Sequence, residues 1–301
     1  MWGLGSRWKH YFGKRQVQEY GLGRFEAMLI QLEKDRSSQI ETLIQRVDAV
    51  ARAVGAPLRA EIHQYMYEHQ IGLLETLRLV RREKLSLARL GDGEIRAMFR
   101  LGRAATFQDG SGELERRMKA VLRMDGYDHR RLLVALPGPL FTNSFWEARW
   151  PEFWIAMRPF LPPNSKFGDS FVSRTQFFAH FGEEAVAAWK DIWDGQDVWL
   201  VTGQGSRFER IDELFSEVRS MNVIYSKPTE AFDDLGRVIE EIKVKVPQGS
   251  LCLISLGPAG TVLAADLSNL GYWALDIGHI SASYDEWIGR GPKPEKMPLI
   301  G

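Results

Sequence analysis

The sequence is poor in cysteine, and what it lacks narrows the field first. One cysteine, Cys252, stands among 301 residues, so no intrachain disulfide can form. It lies inside the apolar run LCLISL, where a free cysteine behaves as a small buried hydrophobe. No apolar run approaches the ~18–20 residues needed to cross a bilayer, and the amino-terminus has no apolar signal core. An excess of one charge is missing too. The 39 Lys plus Arg balance 39 Asp plus Glu, which points to no nucleic-acid partner. The chain also has no Gly-Lys-Ser/Thr phosphate loop and no complete three-glycine dinucleotide fingerprint. A cytoplasmic chain with ample material for a core is the expectation.

The balanced total hides a local bias. Residues 1–16, MWGLGSRWKHYFGKRQ, hold Arg7, Lys9, Lys14 and Arg15 without one acid, interleaved with Trp2, Trp8, Tyr11 and Phe12. Rings at headgroup depth beside cations facing phosphates suit the anionic inner face of a membrane. The plainer alternative is a terminus that touches nothing.

Residues 24 to about 54 read as one long helix. Ile40, Leu43, Val47, Val50 and Val54 recur by three and four, with Glu41, Gln45, Arg46 and Asp48 turned outward. Phe25, Met28 and Leu32 continue the stripe upstream, with a break in register before Ile40. Gly55 and Pro57 are expected to end this helix. A second helical pattern runs through Tyr65, Ile71, Leu74, Leu77 and Val80. The front of the chain therefore divides into a basic, aromatic segment (1–20) and a helical hairpin (21–83). The hairpin either pairs with a second copy as a homodimer or packs on the main domain.

From residue 84 onward, seven short β-like runs alternate with helix-length stretches: LSLARLG, RLLVALPG, SKFGDSF, DVWLVTG, NVIYS, SLCLISLG and YWALDIG. Strands apolar throughout and separated by helices indicate an α/β fold, Rossmann-like and doubly wound, with a mostly parallel sheet. Ligands of such sheets bind at the carboxyl ends of the strands, and the polar motifs fall there. In RLGDGE, Asp92 and Glu94 flank Gly93, and a bent loop turns both carboxylates toward one point. Two hard oxygen ligands suit Mn²⁺ or Mg²⁺ that takes its other ligands from water and a diphosphate, and Arg89 adds a cation for phosphate. The same residues also read as an ordinary helix cap. In VTGQGSRFERI, Gly203, Gly205, Ser206 and Arg207 precede a helix expected near Phe208, a layout that offers backbone N–H groups to an anion. In ISLGPAGTV, Gly257 and Pro258 open a small-residue helix that carries Thr261. The last run delivers Asp276 and His279, either structural or acid–base groups.

SLARLGDGE resembles the opening motif of the GT-D-fold glycosyltransferases, whose hallmark is Asp-x-Glu. LGPAGTVLAADLSNLGYWALDIGHISASYDEW resembles their closing signature, although Ala259-Gly260 departs from the pattern there. GQGSRF and FGDSFVSRTQFF are similar to family segments as well. The resemblance implies a GT-D-like catalytic domain over 84–301 and a nucleotide-sugar donor, usually a UDP-sugar. It further implies a divalent metal at Asp92 and Glu94, and a growing glycan, glycoprotein or lipid-linked acceptor. Arg89, Gly203, Gly205, Ser206, Arg207, Gly257, Pro258 and Thr261 would then face the donor. Asp276 and His279 lead the choices for general base, with Asp169 and Glu209 behind them. The alternative is a non-catalytic, nucleotide-binding scaffold of a polysaccharide assembly system.

At ~1 kcal/mol per basic residue near an anionic surface, residues 1–16 give weak, reversible, salt-sensitive association. The full chain is expected to pellet with anionic vesicles at low salt, and a chain starting at Gly21 to stay in solution. Equal pelleting of the two would remove the membrane reading.

Overall fold

The computed structural model describes residues 5–101, 111–139, 144–206 and 208–292, with side chains from residue 27 onward. The chain falls into two compact units, Met1–Ala60 and Glu61–Gly301. The first is a stretch of α1 (Gly5–His69), which passes through both Gly55 and Pro57. An interior proline removes a backbone donor and costs a helix ~3 kcal/mol. Its neighbours offset this. Ala51, Ala53 and Ala56 are strong helix formers, and the Arg59 guanidinium donates to the Arg52 carbonyl, next to the Ala53 carbonyl that Pro57 leaves without its donor. Gly55 leaves room for that arm, because a Cβ there would lie 2.8 Å from Arg59 Nη1. The hairpin expected over 21–83 is thus replaced by one long helix, and pairing through a hairpin loses its basis. The turn falls instead after His69, ahead of α2 (Leu73–Glu83).

Within the larger unit, α2 leads to β1 (Ser86–Arg89), followed by α3 (Asp92–Phe99), α4 (Gly112–Arg123) and β2 (Leu132–Leu136). Next come α5 (Ser144–Met157), β3 (Gly168–Asp169), α6 (Thr175–Phe181), α7 (Glu183–Trp193), β4 (Asp197–Gly203) and β5 (Ser220–Ser226). The described chain closes with α8 (Leu235–Lys245), β6 (Leu251–Ser255), α9 (Pro258–Asn269), β7 (Trp273–Asp276) and α10 (Ile280–Trp287). Each of the seven apolar runs is a strand. They form one parallel sheet in the order β3-β2-β1-β7-β6-β4-β5.

Register sets the core. Leu133, Leu87, Leu275, Leu253, Leu200 and Val223 lie side by side across six strands. The five leucines are buried, whereas Val223, on the edge strand, is 39% exposed. Beneath this row pack Leu77 and Val80 of α2, Phe177 and Phe178 of α6, and Trp189 and Trp193 of α7. The opposite face carries α3, α4, α5, α8 and α9. This two-sided cover explains strands that are apolar on both faces. No helix among the described residues is long and apolar enough to cross a membrane.

One expected helix is absent. ERIDELFSEVRS joins β4 to β5 as a series of turns. Its carbonyls are taken by neighbours: Leu214 accepts from Trp193 Nε1 at 3.2 Å and Glu217 from Gly195 N at 2.8 Å. Helical i→i+4 bonding would need those same acceptors, and tertiary contacts override local propensity here.

Candidate active site

Five of the seven strands deliver the named polar residues to one edge, their carboxyl ends. β1 places Arg89 there, only 8% exposed. Its Nε donates to the Ser170 carbonyl at 2.9 Å, and its Nη1 lies 3.7 Å from Asp276 Oδ1. Gly278 takes φ +49°, and a Cβ on it would overlap the Arg89 guanidinium. Only glycine suits that position. Burial pulls Arg89 below its ordinary pKa, with Arg174 adding to the effect, while Asp276, Glu94 and Asp169 act the other way.

The acidic motif opens α3. Gly91 is the N-cap, and Glu94 Oε2 accepts from its N–H at 2.8 Å. A Cβ on Gly91 would stand 2.8 Å from that same oxygen. Asp92 is the first helical residue rather than the cap. The cap is therefore a glycine, and Glu94 in the first turn closes the box. Burial, then the charges of Asp276 and Asp92, push the Glu94 carboxyl up to about 7.

Asp276 ends β7. Its Oδ1 accepts from Gly278 N at 3.0 Å, and its Oδ2 lies 3.4 Å from the Thr261 hydroxyl, which donates to the Arg89 carbonyl at 2.7 Å. Burial raises this carboxyl, and Arg89 opposes the rise. Thr261 is wholly buried, so it holds Arg89 and Asp276 in place from inside instead of facing a donor. On the far side of Arg89, Asp169 ends β3 and accepts from Phe171 N at 2.9 Å. Burial pushes it up to about 7 against Phe171, Gly138 and Arg89. A Cβ on Gly138 would sit 2.9 Å from its Oδ2.

His279 precedes α10, and its Nδ1 is 3.1 Å from Arg174 Nη1. A guanidinium only donates, so Nδ1 accepts and the ring proton belongs on Nε2. Sequence reasoning left Arg174 unassigned, although it lies inside FVSRTQFF, where a lone cation directly follows a short buried run. Glu209 is exposed in the β4–β5 connection, away from this group.

The glycine turn after β4 is spent largely on itself. Gln204 N donates to the Ser226 carbonyl at 2.9 Å, Ser206 N to that of Gly203 at 3.0 Å, and the Thr202 and Ser206 hydroxyls meet at 2.7 Å. With no helix behind it, the expected helix-terminus anion site is not formed there; Arg207 lies outside the described residues. Gly203 is required for another reason, since a Cβ would lie 2.9 Å from Pro228 Cα. At β6, Gly257 (φ +57°) and Pro258 do open α9 as expected, aiming the positive end of its dipole at the edge. Ser255 Oγ donates to the Gly278 carbonyl at 3.0 Å and links the two turns. Where the helix beyond β4 is missing, a groove of about 380 Å³ opens on the sheet face, lined by Leu200, Thr202, Ser206, Phe208, Val223 and Tyr225.

Three carboxyl groups held high around one buried cation leave a site short of positive charge. The donor set is hard oxygen, fitting Mn²⁺ or Mg²⁺. Among the described residues no group of three or more His, Cys, Asp or Glu could cage a metal. Asp92 and Glu94 supply two hard-oxygen donors, fewer than such a group holds.

A parallel sheet with its charged side chains gathered at the carboxyl edge defines a Rossmann-like α/β enzyme. More narrowly, the chain belongs to the glycosyltransferase GT-D fold family, whose model matches residues 87–299. Glycosyltransferase GlyD of Streptococcus pneumoniae serotype 4 is 33% identical over 233 residues, covering 74% of this chain and 28% of that protein. The probable glycosyl transferase Gly of Streptococcus gordonii is 28% identical over 239 residues, covering 74% and 34%. The chain thus spans about a third of the length of these relatives. Among solved structures, domain of unknown function 1792, described as having a distinct glycosyltransferase fold, superposes with TM-score 0.66 at 26% identity over 76% of this chain and 84% of that one. A glycosyltransferase from Streptococcus sanguinis with the same domain gives 0.64 at 27% identity, over 73% and 84%.

Two outcomes test this geometry. Gly278→Ala is expected to cost about 2–4 kcal/mol of stability through strain and displacement of Arg89, read by denaturant unfolding; a neutral result would refute the close packing. For Asp169 the folded carboxyl titrates near 7 against 3.8 in a free chain. Between those values the folded state keeps a proton that the unfolded state has released, so this group's contribution to stability falls as pH rises from about 4 to 7. Asp169→Asn should match the wild type near pH 4 and gain on it by ~1–3 kcal/mol at pH 8. Parallel stability curves would contradict the raised carboxyl.

Proposed function

We propose that this chain transfers a sugar from a nucleotide-sugar donor, a UDP-sugar, to a glycan, glycoprotein or lipid-linked acceptor. The observation that carries the reading is the cluster of Glu94, Asp169 and Asp276 around Arg89 at the carboxyl edge, beside Asp92. Asp92 and Glu94 would hold Mn²⁺ or Mg²⁺, which when bound supplies charge against the donor diphosphate. Arg89, kept cationic by Asp276, adds a fixed positive field from within, and the α9 amino-terminus at Gly257–Pro258 adds a partial one. Both favour the negative charge that grows on the leaving diphosphate.

The groove beside Thr202 and Ser206 suits the donor's nucleoside. It combines an apolar floor, two aromatic rings and two hydroxyls in a volume typical of ligand pockets. It lies three strand spacings from β1, ~14 Å, a span suited to a diphosphate between base and sugar. The acceptor would then approach from the β2–β3 side. There Asp169, its carboxyl pushed up to about 7 by burial, would take the proton, whereas the Nε2 proton would make His279 a donor. The basic and aromatic residues 1–16 would keep the enzyme near an anionic membrane that carries lipid-linked acceptors.

Calorimetry with UDP and Mn²⁺, together with slow donor hydrolysis, tests the reading. Asp92→Asn and Glu94→Gln are each expected to abolish Mn²⁺-dependent UDP binding and to lower hydrolysis by roughly 10²–10³-fold. Tyr225→Ala should weaken UDP but not inorganic pyrophosphate. If both carboxylate variants behave like the wild type, the metal and donor assignment fails.

A further inference from the structure

We propose that residues 28–54 of α1 form a parallel two-stranded coiled coil with a second copy of this chain. Ile40, Leu43, Val47, Val50 and Val54 are 47–76% exposed, although their three-and-four spacing gathers them on one face of a continuous helix. Scattered exposed leucines need no partner, but apolar residues at successive a and d positions over 40–54 do. In heptad terms the a positions are Ile40, Val47 and Val54, and the d positions are Leu43 and Val50. β-branched residues at a favour two parallel strands.

The flanking positions agree. Ile44 and Ala51 occupy e, while Gln39, Arg46 and Ala53 occupy g. In a parallel pair each g residue faces the partner's next e residue, so Arg46 meets Ala51 and no like charges oppose one another. Antiparallel pairing sets g against g and brings two Arg46 side chains together. Leu29 and Leu32, also exposed, take a and d positions upstream, separated from Ile40 by the polar stretch 33–39. The eight-residue step from Leu32 to Ile40 is a four-residue stutter, which a coil absorbs by local unwinding. Residues 28–54 span about 40 Å of helix, with the polar stretch 33–39 interrupting the apolar positions.

The single native cysteine makes the test clean, because Cys252 is buried and burial pushes its thiol up to about 12. Val47→Cys and Val54→Cys sit at seam positions, and Asp48→Cys sits on the outer face. Mild oxidation of the full chain is expected to link the first two into covalent dimers, at least tenfold more than the third. Sedimentation of the unlinked protein should give the mass of two chains, and Leu43→Asp combined with Val50→Asp should return it to one. A single-chain mass at tens of micromolar, a three-chain mass, or equal linkage at Asp48 would overturn the proposal.

Discussion

A guanidinium removed from water needs partners on every side, and the carboxyl edge of this sheet is arranged around that requirement. Arg89 is held by a carbonyl beyond β3, a carboxylate at the end of β7 and a bare glycine behind it. A threonine of α9 grips its own carbonyl. Three strands and a helix therefore converge on one side chain. Their relative register is not free to drift, since a one-residue slip in a strand turns its side chains to the other face. The chemistry and the sheet are fixed by the same contacts.

The surplus of carboxyl over cation around Arg89 is the second consequence of that arrangement. A protein built for stability alone would match each buried acid with a base. Here Glu94, Asp169 and Asp276 are all raised by burial, with Arg89 the one buried cation they share. Glycines make the room: Gly91, Gly138 and Gly278 each stand where a methyl group would meet the side chain of Glu94, Asp169 or Arg89.

Much of this was legible in the residues because the signals were local. All seven strands were visible as apolar runs, and a parallel sheet followed from their lack of alternation. Asp92, Glu94, Asp276 and His279 could be placed at strand ends by counting alone. The misses were of another kind. Pro57 ordinarily stops a helix, yet α1 runs through it among alanines, with the Arg59 side chain folded back over Gly55. ERIDELFSEVRS has good helical periodicity, but carbonyls claimed by Trp193 and Gly195 lie about twenty residues away in sequence. Thr261 looked like a donor contact because its hydroxyl follows a glycine turn; its burial is a tertiary fact. Arg174 meets His279 across 105 positions, a distance no spacing rule spans.

The sheet also has a second rim, at the amino ends of its strands. The short turns there, such as Gly195–Gln196 before β4 and Pro247–Ser250 before β6, carry none of the charged residues discussed above. All-parallel winding enforces this separation, since every strand points its chemistry the same way. Drift can rewrite the idle rim, lengthening or trading its loops, while the working rim stays intact. A module with that division of labour can be set into longer chains, as it is in the streptococcal relatives, without renegotiating its active site each time.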